Sequence, residues 1–312
     1  MERGNNTQIH DFILVGFSIN PPFQYIVFVI FLLIFMISLL SHMFIILIYI
    51  FSPSLHTPMY FFLANFSFME ICYLFTLSPQ MLINLLSEHK TITFYGCAMQ
   101  MNCFLLLGSA ECYLLATMAY DRYNAICHPL LYNTIIRDIV CIRLVIASWI
   151  IGTTVALLET NLIFSLQFCR SNRINNFYCD ISPLLNLACN NTEINEIILR
   201  VITIIVVVIP FILIVISYTK IIWTILKHYS AGTRKKAFST CTSHLIVVSM
   251  SYGSGTIMYL RPKSRYGTDE DKYFSILYVV IAPLMGPFIY SLRNNDVINA
   301  VKKIIAEIKT EH

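Results

Sequence analysis

Seven apolar stretches, each close to the ~20 residues an α-helix needs to cross a bilayer, constrain this chain more than any other feature. They cover residues 24–50, 57–82, 96–122, 140–163, 195–225, 237–260 and 271–292. The chain is 57% hydrophobic and 12% charged, against roughly a quarter charged in an ordinary soluble domain. One soluble core cannot enclose that much apolar surface. Inside hydrocarbon every backbone N–H and C=O must be satisfied within the segment, and continuous helices do this. The spacing predicts an all-α fold, an integral membrane bundle of seven helices. It also predicts three regions: an N-terminal segment (1–23), the seven-helix domain (24–292), and a tail (293–312) carrying a short amphipathic helix. In that tail Val297, Ile298, Val301, Ile304 and Ile305 alternate with Lys302 and Lys303, a pattern suited to lying on a membrane surface.

An odd number of spans puts the two ends on opposite sides. Lysine and arginine near span ends favour the cytoplasmic side. The loop from Lys220 to Lys236 carries five bases and no acid, whereas the segment from Glu159 to Glu196 on the other side carries four acids. The N-terminus is therefore expected outside and the C-terminus in the cytoplasm. Residues 1–22 lack a basic n-region and a small-residue cleavage site, so the first apolar run is expected to act as an uncleaved anchor. Asn5-Asn6-Thr7 is then a glycosylation acceptor on the outer side, with Asn5 as its site.

Ionisable residues inside spans are functional candidates by default. His42 lies in the first, Glu70 in the second and Glu111 in the third. Glu111 falls fourteen residues after Cys97, roughly 21 Å along a helix axis, hence near mid-membrane. Two close carboxylates in a dry site share a proton or a cation, so Glu70 and Glu111 are a possible cation site. No other metal site is expected and no cofactor. Neither a nucleophile motif nor metal-ligand spacing accompanies these groups, which argues against an enzyme. The absence of internal duplication argues against a transporter. Nothing points to nucleic acid. At the end of the third span Asp121-Arg122-Tyr123 sets a charged pair where an apolar helix meets water.

Cys97, Cys169, Cys179 and Cys189 share the outer side. In an oxidising compartment they suit disulfides better than metal, and the sequence alone allows three pairings. Pro210 is expected to kink the fifth span.

Five strings decide the family. Met118-Ala-Tyr-Asp-Arg-Tyr-Asn-Ala-Ile-Cys-His-Pro-Leu-Leu-Tyr132 closes the third span, and Leu55-His-Thr-Pro-Met-Tyr-Phe-Phe-Leu63 opens the second. Phe177-Tyr-Cys-Asp-Ile-Ser-Pro-Leu-Leu185 lies in the long outer loop. Lys236-Ala-Phe-Ser-Thr-Cys-Thr-Ser-His-Leu245 opens the sixth span, and Pro283-Leu-Met-Gly-Pro-Phe-Ile-Tyr-Ser-Leu-Arg-Asn294 ends the seventh. In this order they resemble the odorant receptors, terrestrial-type members (class II) of the rhodopsin-like G-protein-coupled receptors.

The resemblance implies a receptor that binds a small, mostly neutral volatile molecule and activates a stimulatory, olfactory-type heterotrimeric G protein to raise cAMP. A related receptor for a nonvolatile ligand is the nearest alternative. It implies a ligand wall of Phe104, Leu105, Gly108, Ser109, Cys112, Ile202, Val206, Tyr252, Thr256, Tyr259, Ile276 and Val279, on the third, fifth, sixth and seventh spans. Biogenic-amine receptors carry an aspartate where Phe104 stands, which disfavours a cationic amine. Asp121, Arg122, Tyr123, Tyr218 and Tyr290 are implied for G-protein coupling, and His42, Glu70, Glu111 and Gly286 for a polar network. Gly286 departs from the family's asparagine, and His42 stands where the family usually has Gly-Asn. The implied disulfides are Cys97–Cys179 and Cys169–Cys189, with Cys97–Cys189 as the alternative.

Overall fold

A computed structural model describes residues 10–16, 20–169, 171–259, 269–292 and 297–303. Seven long helical segments carry the chain: α1 (Pro21–Phe51), α2 (Pro58–Leu86), α3 (Phe94–Cys127), α4 (Asp138–Phe164), α5 (Glu193–His228), α6 (Ala231–Tyr259) and α7 (residues 269–292). Among the described residues, the first five are long and apolar enough by themselves to cross a membrane. The helices outrun the apolar stretches because backbone hydrogen bonding continues beyond the last buried side chain. Thus α3 runs on to Cys127, and Asp121 and Arg122 lie within the helix and not at its end.

Local chemistry sets the helix starts. Prolines occupy the first turns of α1 and α2, where a missing N–H costs nothing. Thr93 caps α3, its hydroxyl accepting from the Gly96 N–H at 3.0 Å. The outer surface is apolar: Phe23, Ile26, Leu33 and Leu40 of α1 are each more than half exposed, which water would oppose and lipid does not. The centre is α3, whose Ala110, Leu114, Leu115 and Ala119 are fully buried.

Prolines also explain the irregular turns of α5 and α7. Residues Ile204–Val208 form a π turn just before Pro210, and Leu277–Ile281 form another just before Pro283. A helical proline lacks its N–H and clashes with the preceding turn, and a wider turn relieves that clash. In the π register Ile209 N–H reaches the Ile204 carbonyl, so Pro210 leaves the Ile205 carbonyl without its next donor. The Tyr113 hydroxyl of α3 donates to that oxygen at 2.9 Å.

Cys97 is bonded to Cys179 and Cys169 to Cys189, with Cα–Cα separations of 5.5 and 5.9 Å. At this disulfide end lies an element absent from the sequence reading, a small sheet of order β2-β1-β3. Strand β1 (Asp11–Leu14) pairs antiparallel with β2 (Thr91–Thr93), Phe12 opposite Ile92. It pairs parallel with β3 (Arg173–Ile174), Leu14 opposite Ile174. Phe12 and Leu14 are buried, and Phe12 stacks on Phe94 with ring centroids 6.0 Å apart and meets Phe168 edge-on at 5.6 Å. At the opposite end, residues 297–303 are helical, with Val297 and Ala300 buried and Lys302 and Lys303 exposed.

Candidate functional site

A cavity opens between α3, α4, α5 and α6 below the disulfide end, enclosing about 640 Å³ of space that includes its open mouth. From α3 it receives Phe104, Leu105, Gly108, Ser109 and Cys112; from α5 Val206; from α6 Tyr252. Phe104 is wedged between Tyr178 and Tyr73, at 5.2 and 5.6 Å between ring centroids. Tyr252 donates its hydroxyl to the Cys112 carbonyl at 2.9 Å, and Ser251 donates to Glu111 Oε1 at 2.8 Å. Both bonds join α6 to α3 at the cavity floor.

The other expected wall residues stand elsewhere. Val279 is buried in the core, Thr256 is exposed, and Ile202 and Ile276 are half-buried away from the cavity. On α5, Thr203 and Val207 join Val206 at the cavity in place of Ile202. The fourth wall is α4, through Val155 and Glu159, and the described part of α7 contributes nothing. Side-chain placement of Tyr259, and the whole of Asn5, lie outside the described residues.

The opposite end of α3 carries the charged pair. Arg122 donates through Nε and Nη2 to Asp121 Oδ2 at 3.0 and 2.5 Å. Tyr132, in the one-turn helix Tyr132–Ile135, donates to Asp121 Oδ1 at 2.6 Å. Burial pushes the Tyr132 phenol up from its ordinary value, and the Asp121 carboxylate adds to the rise; the group stays a donor at neutral pH. Beside the pair, the Tyr218 hydroxyl of α5 and His244 Nδ1 of α6 are 2.8 Å apart with stacked rings. Tyr290 is buried, with Phe66 edge-on at 6.4 Å. Tyr123 faces His128, at 3.1 Å from its hydroxyl to Nε2, and Lys220 lies 5.6 Å over its ring.

The sequence profile of the olfactory receptor family matches residues 31–308. The chain belongs to that family. Olfactory receptor 10AG1 of Homo sapiens is 48% identical to it over 96% of this chain and 100% of its own. Olfactory receptor 10A7 of Homo sapiens is 45% identical over 97% and 96%, and olfactory receptor 5AP2 of Mus musculus 44% identical over 98% and 96%. The chain is therefore a multi-pass odorant receptor of the plasma membrane, of the G-protein-coupled class and not an enzyme.

Between the two ends the receptor carries its polar network. His42 donates from Nε2 to the Pro283 carbonyl at 3.0 Å. That carbonyl lacks its helical donor because Pro287, four residues on, has no N–H, so the histidine replaces a missing backbone bond. Gly286 sits beside it; a Cβ there would stand 3.6 Å from Phe66 and 3.8 Å from His42, leaving room for a side chain. Glu70 and Glu111 are both buried and lie close enough to repel each other. Val155, Glu159, Ile181, Thr203, Val207, Ser251 and Gly255 line the cavity without having been singled out in the sequence. Glu159 did carry a signal, as an acid inside an apolar span.

Proposed function

We propose that this receptor holds a small, largely apolar volatile molecule in the cavity between α3 and α6 and activates a stimulatory heterotrimeric G protein, raising cAMP. The N-terminus and disulfide end face outward, and the Arg122 end faces the cytoplasm. Glycosylation at Asn5, residues 293–312 as cytoplasmic tail, and a proton or cation shared by Glu70 and Glu111 belong to the same reading. Tyr259 is kept as a ligand contact; Ile202, Thr256, Ile276 and Val279 do not line the cavity and are left out of the contact set.

One observation carries it: the α6 segment whose Ser251 and Tyr252 close the cavity floor also bears His244, eight residues away, roughly 12 Å along the axis. A ligand pressing on Tyr252 favours a state in which α6 shifts and the Tyr218–His244 contact opens. The bias cannot exceed the ligand's differential affinity for the two states. Arg122, released from Asp121, then meets the G protein with Tyr123, Tyr218 and Tyr290 around it. A cAMP reporter screen over volatile classes tests this. Ligand-dependent cAMP that disappears in Arg122→Ala and weakens in Tyr259→Phe is expected. Responses that persist in Arg122→Ala at normal surface level sink the coupling scheme.

A further inference from the structure

Glu159 is the one carboxyl side chain lining the cavity among the described residues. It is 5% exposed. Glu111, just beneath the floor, is engaged by Ser251, and Asp180 caps its own short helix by accepting from the Ile181 N–H at 2.8 Å. Glu159 makes no hydrogen bond or ion pair with any described residue. Among these residues no lysine, arginine or histidine lines the cavity, and the nearby Asp180 adds a second negative charge to the field at Glu159.

Its position is fixed from both sides. At Gly152 a Cβ would lie 2.5 Å from the Leu106 carbonyl oxygen, so α4 rests there directly on the α3 backbone. One residue beyond Glu159, Thr160 Oγ1 accepts from Asn102 Nδ2 at 3.3 Å. Gly152, Val155, Ala156, Glu159 and Ile163 form one buried face, and Val155, one turn before Glu159, lines the same cavity. Among the described residues the carboxyl group at this apolar wall has no partner of opposite charge, so it either keeps its proton or takes a cationic partner from outside the chain.

We propose that Glu159 is the polar anchor of this cavity and that the receptor selects molecules bearing a protonated amine on a small apolar body. This rests on the cavity being the ligand site. The ammonium N–H groups donate to the carboxylate oxygens in a charge-assisted contact, while Phe104, Leu105 and Val206 pack on the hydrocarbon part. Phe104, in place of an acid on α3, argues for a neutral ligand only if α3 alone supplies the anchor. Here the acid stands on the facing helix.

The test compares matched small primary amines, the alcohols of the same skeleton and the corresponding hydrocarbons in a cAMP assay, with surface labelling of each variant. The wild-type receptor should respond to amines at concentrations at least about tenfold lower than to the alcohols, since a charged partner is worth more than a neutral one. Glu159→Gln should raise the half-maximal concentration for amines by about tenfold or more and leave the alcohols within about threefold. Glu159→Asp, which keeps the charge, should retain the preference and guards against a folding defect in the glutamine variant. Gly255 has open space where a Cβ would stand and lines the cavity, so Gly255→Phe should suppress every response. If Gly255→Phe leaves all responses intact, the ligand sits elsewhere and the cavity reading fails. If it abolishes them while Glu159→Gln keeps amine potency, only the anchor fails. A wild-type receptor silent to the amine panel also overturns the anchor.

Discussion

The two ends of the bundle are held by different kinds of bond. The disulfide end is fixed covalently by Cys97–Cys179 and Cys169–Cys189 and tied by three short strands. Among the described residues the Arg122 end has no disulfide and is tied by side-chain contacts, Tyr132 to Asp121, Tyr218 to His244 and Tyr229 to the Ile126 carbonyl, with Arg122 engaging Asp121 within α3. Each contact at the Arg122 end is worth only about 0.5–3 kcal/mol. The covalently tied end is therefore the stiffer one, and the Arg122 end is the one that the modest free energy supplied by a small ligand can open.

The sharpest way to break this comparison is to remove the covalent tie. Cys97→Ser should lower stability by about 2–5 kcal/mol and nearly abolish the folded receptor at the cell surface. Surface labelling measures it; normal surface level with normal ligand response would show that the mouth is not held by that bond. Asp121→Asn, at the other end, should leave surface expression near normal. It weakens charge-assisted contacts of about 1.5–3 kcal/mol, so basal cAMP should rise, with the resting-to-active ratio falling about tenfold or more. Unchanged basal cAMP would remove Asp121–Arg122 from the switch.

Tyr132→Phe is the graded version of the same test. It deletes one hydrogen bond to Asp121 and keeps the ion pair, about 0.5–1.5 kcal/mol, and should raise basal cAMP by about two- to tenfold, less than Asp121→Asn. Because burial and Asp121 hold the Tyr132 phenol protonated, its bond persists as pH rises through the ordinary tyrosine range near 10 and is lost only above it. A basal signal that climbs between pH 7 and 8 in wild type but not in Tyr132→Phe would contradict this.

Legibility in the sequence divides along the same line. The seven spans were readable because twenty apolar residues in a row leave little alternative, and the Asp121-Arg122-Tyr123 string was readable because charge interrupts them. Strand β1 was not: Asp11–Leu14 is only four residues long, and its partners lie some eighty and a hundred and sixty residues away, so no local pattern announces the pairing. The cavity wall was half legible. The α3 face repeats at helical spacing and meets the cavity as a unit. The α5 face was legible only in part: Val206 lines the cavity as expected, but Thr203 and Val207 do so where Ile202 was expected, one position round the helix. His42 shows a third case. The Pro283 and Pro287 spacing states that a carbonyl is orphaned, but only the fold shows that α1 supplies its donor.

The smallest expected effect lies midway between the two ends, where α1 meets α7. His42 uses Nε2 on the Pro283 carbonyl, and its buried Nδ1 has no hydrogen-bond partner among the described residues. Gly286 stands close by with room for a side chain. In Gly286→Asn the new amide can donate to Nδ1, adding a tie of about 1 kcal/mol in the arrangement where Arg122 is engaged by Asp121. Replacing a helical glycine also removes some backbone freedom from the unfolded chain, so surface level should not fall. Basal cAMP should therefore drop by about twofold to fivefold, and the drop should vanish when His42→Phe is added, because the ring that accepts the new bond is gone. A drop of equal size in the double variant would mean that residue 286 acts through packing against Phe66 and not through His42.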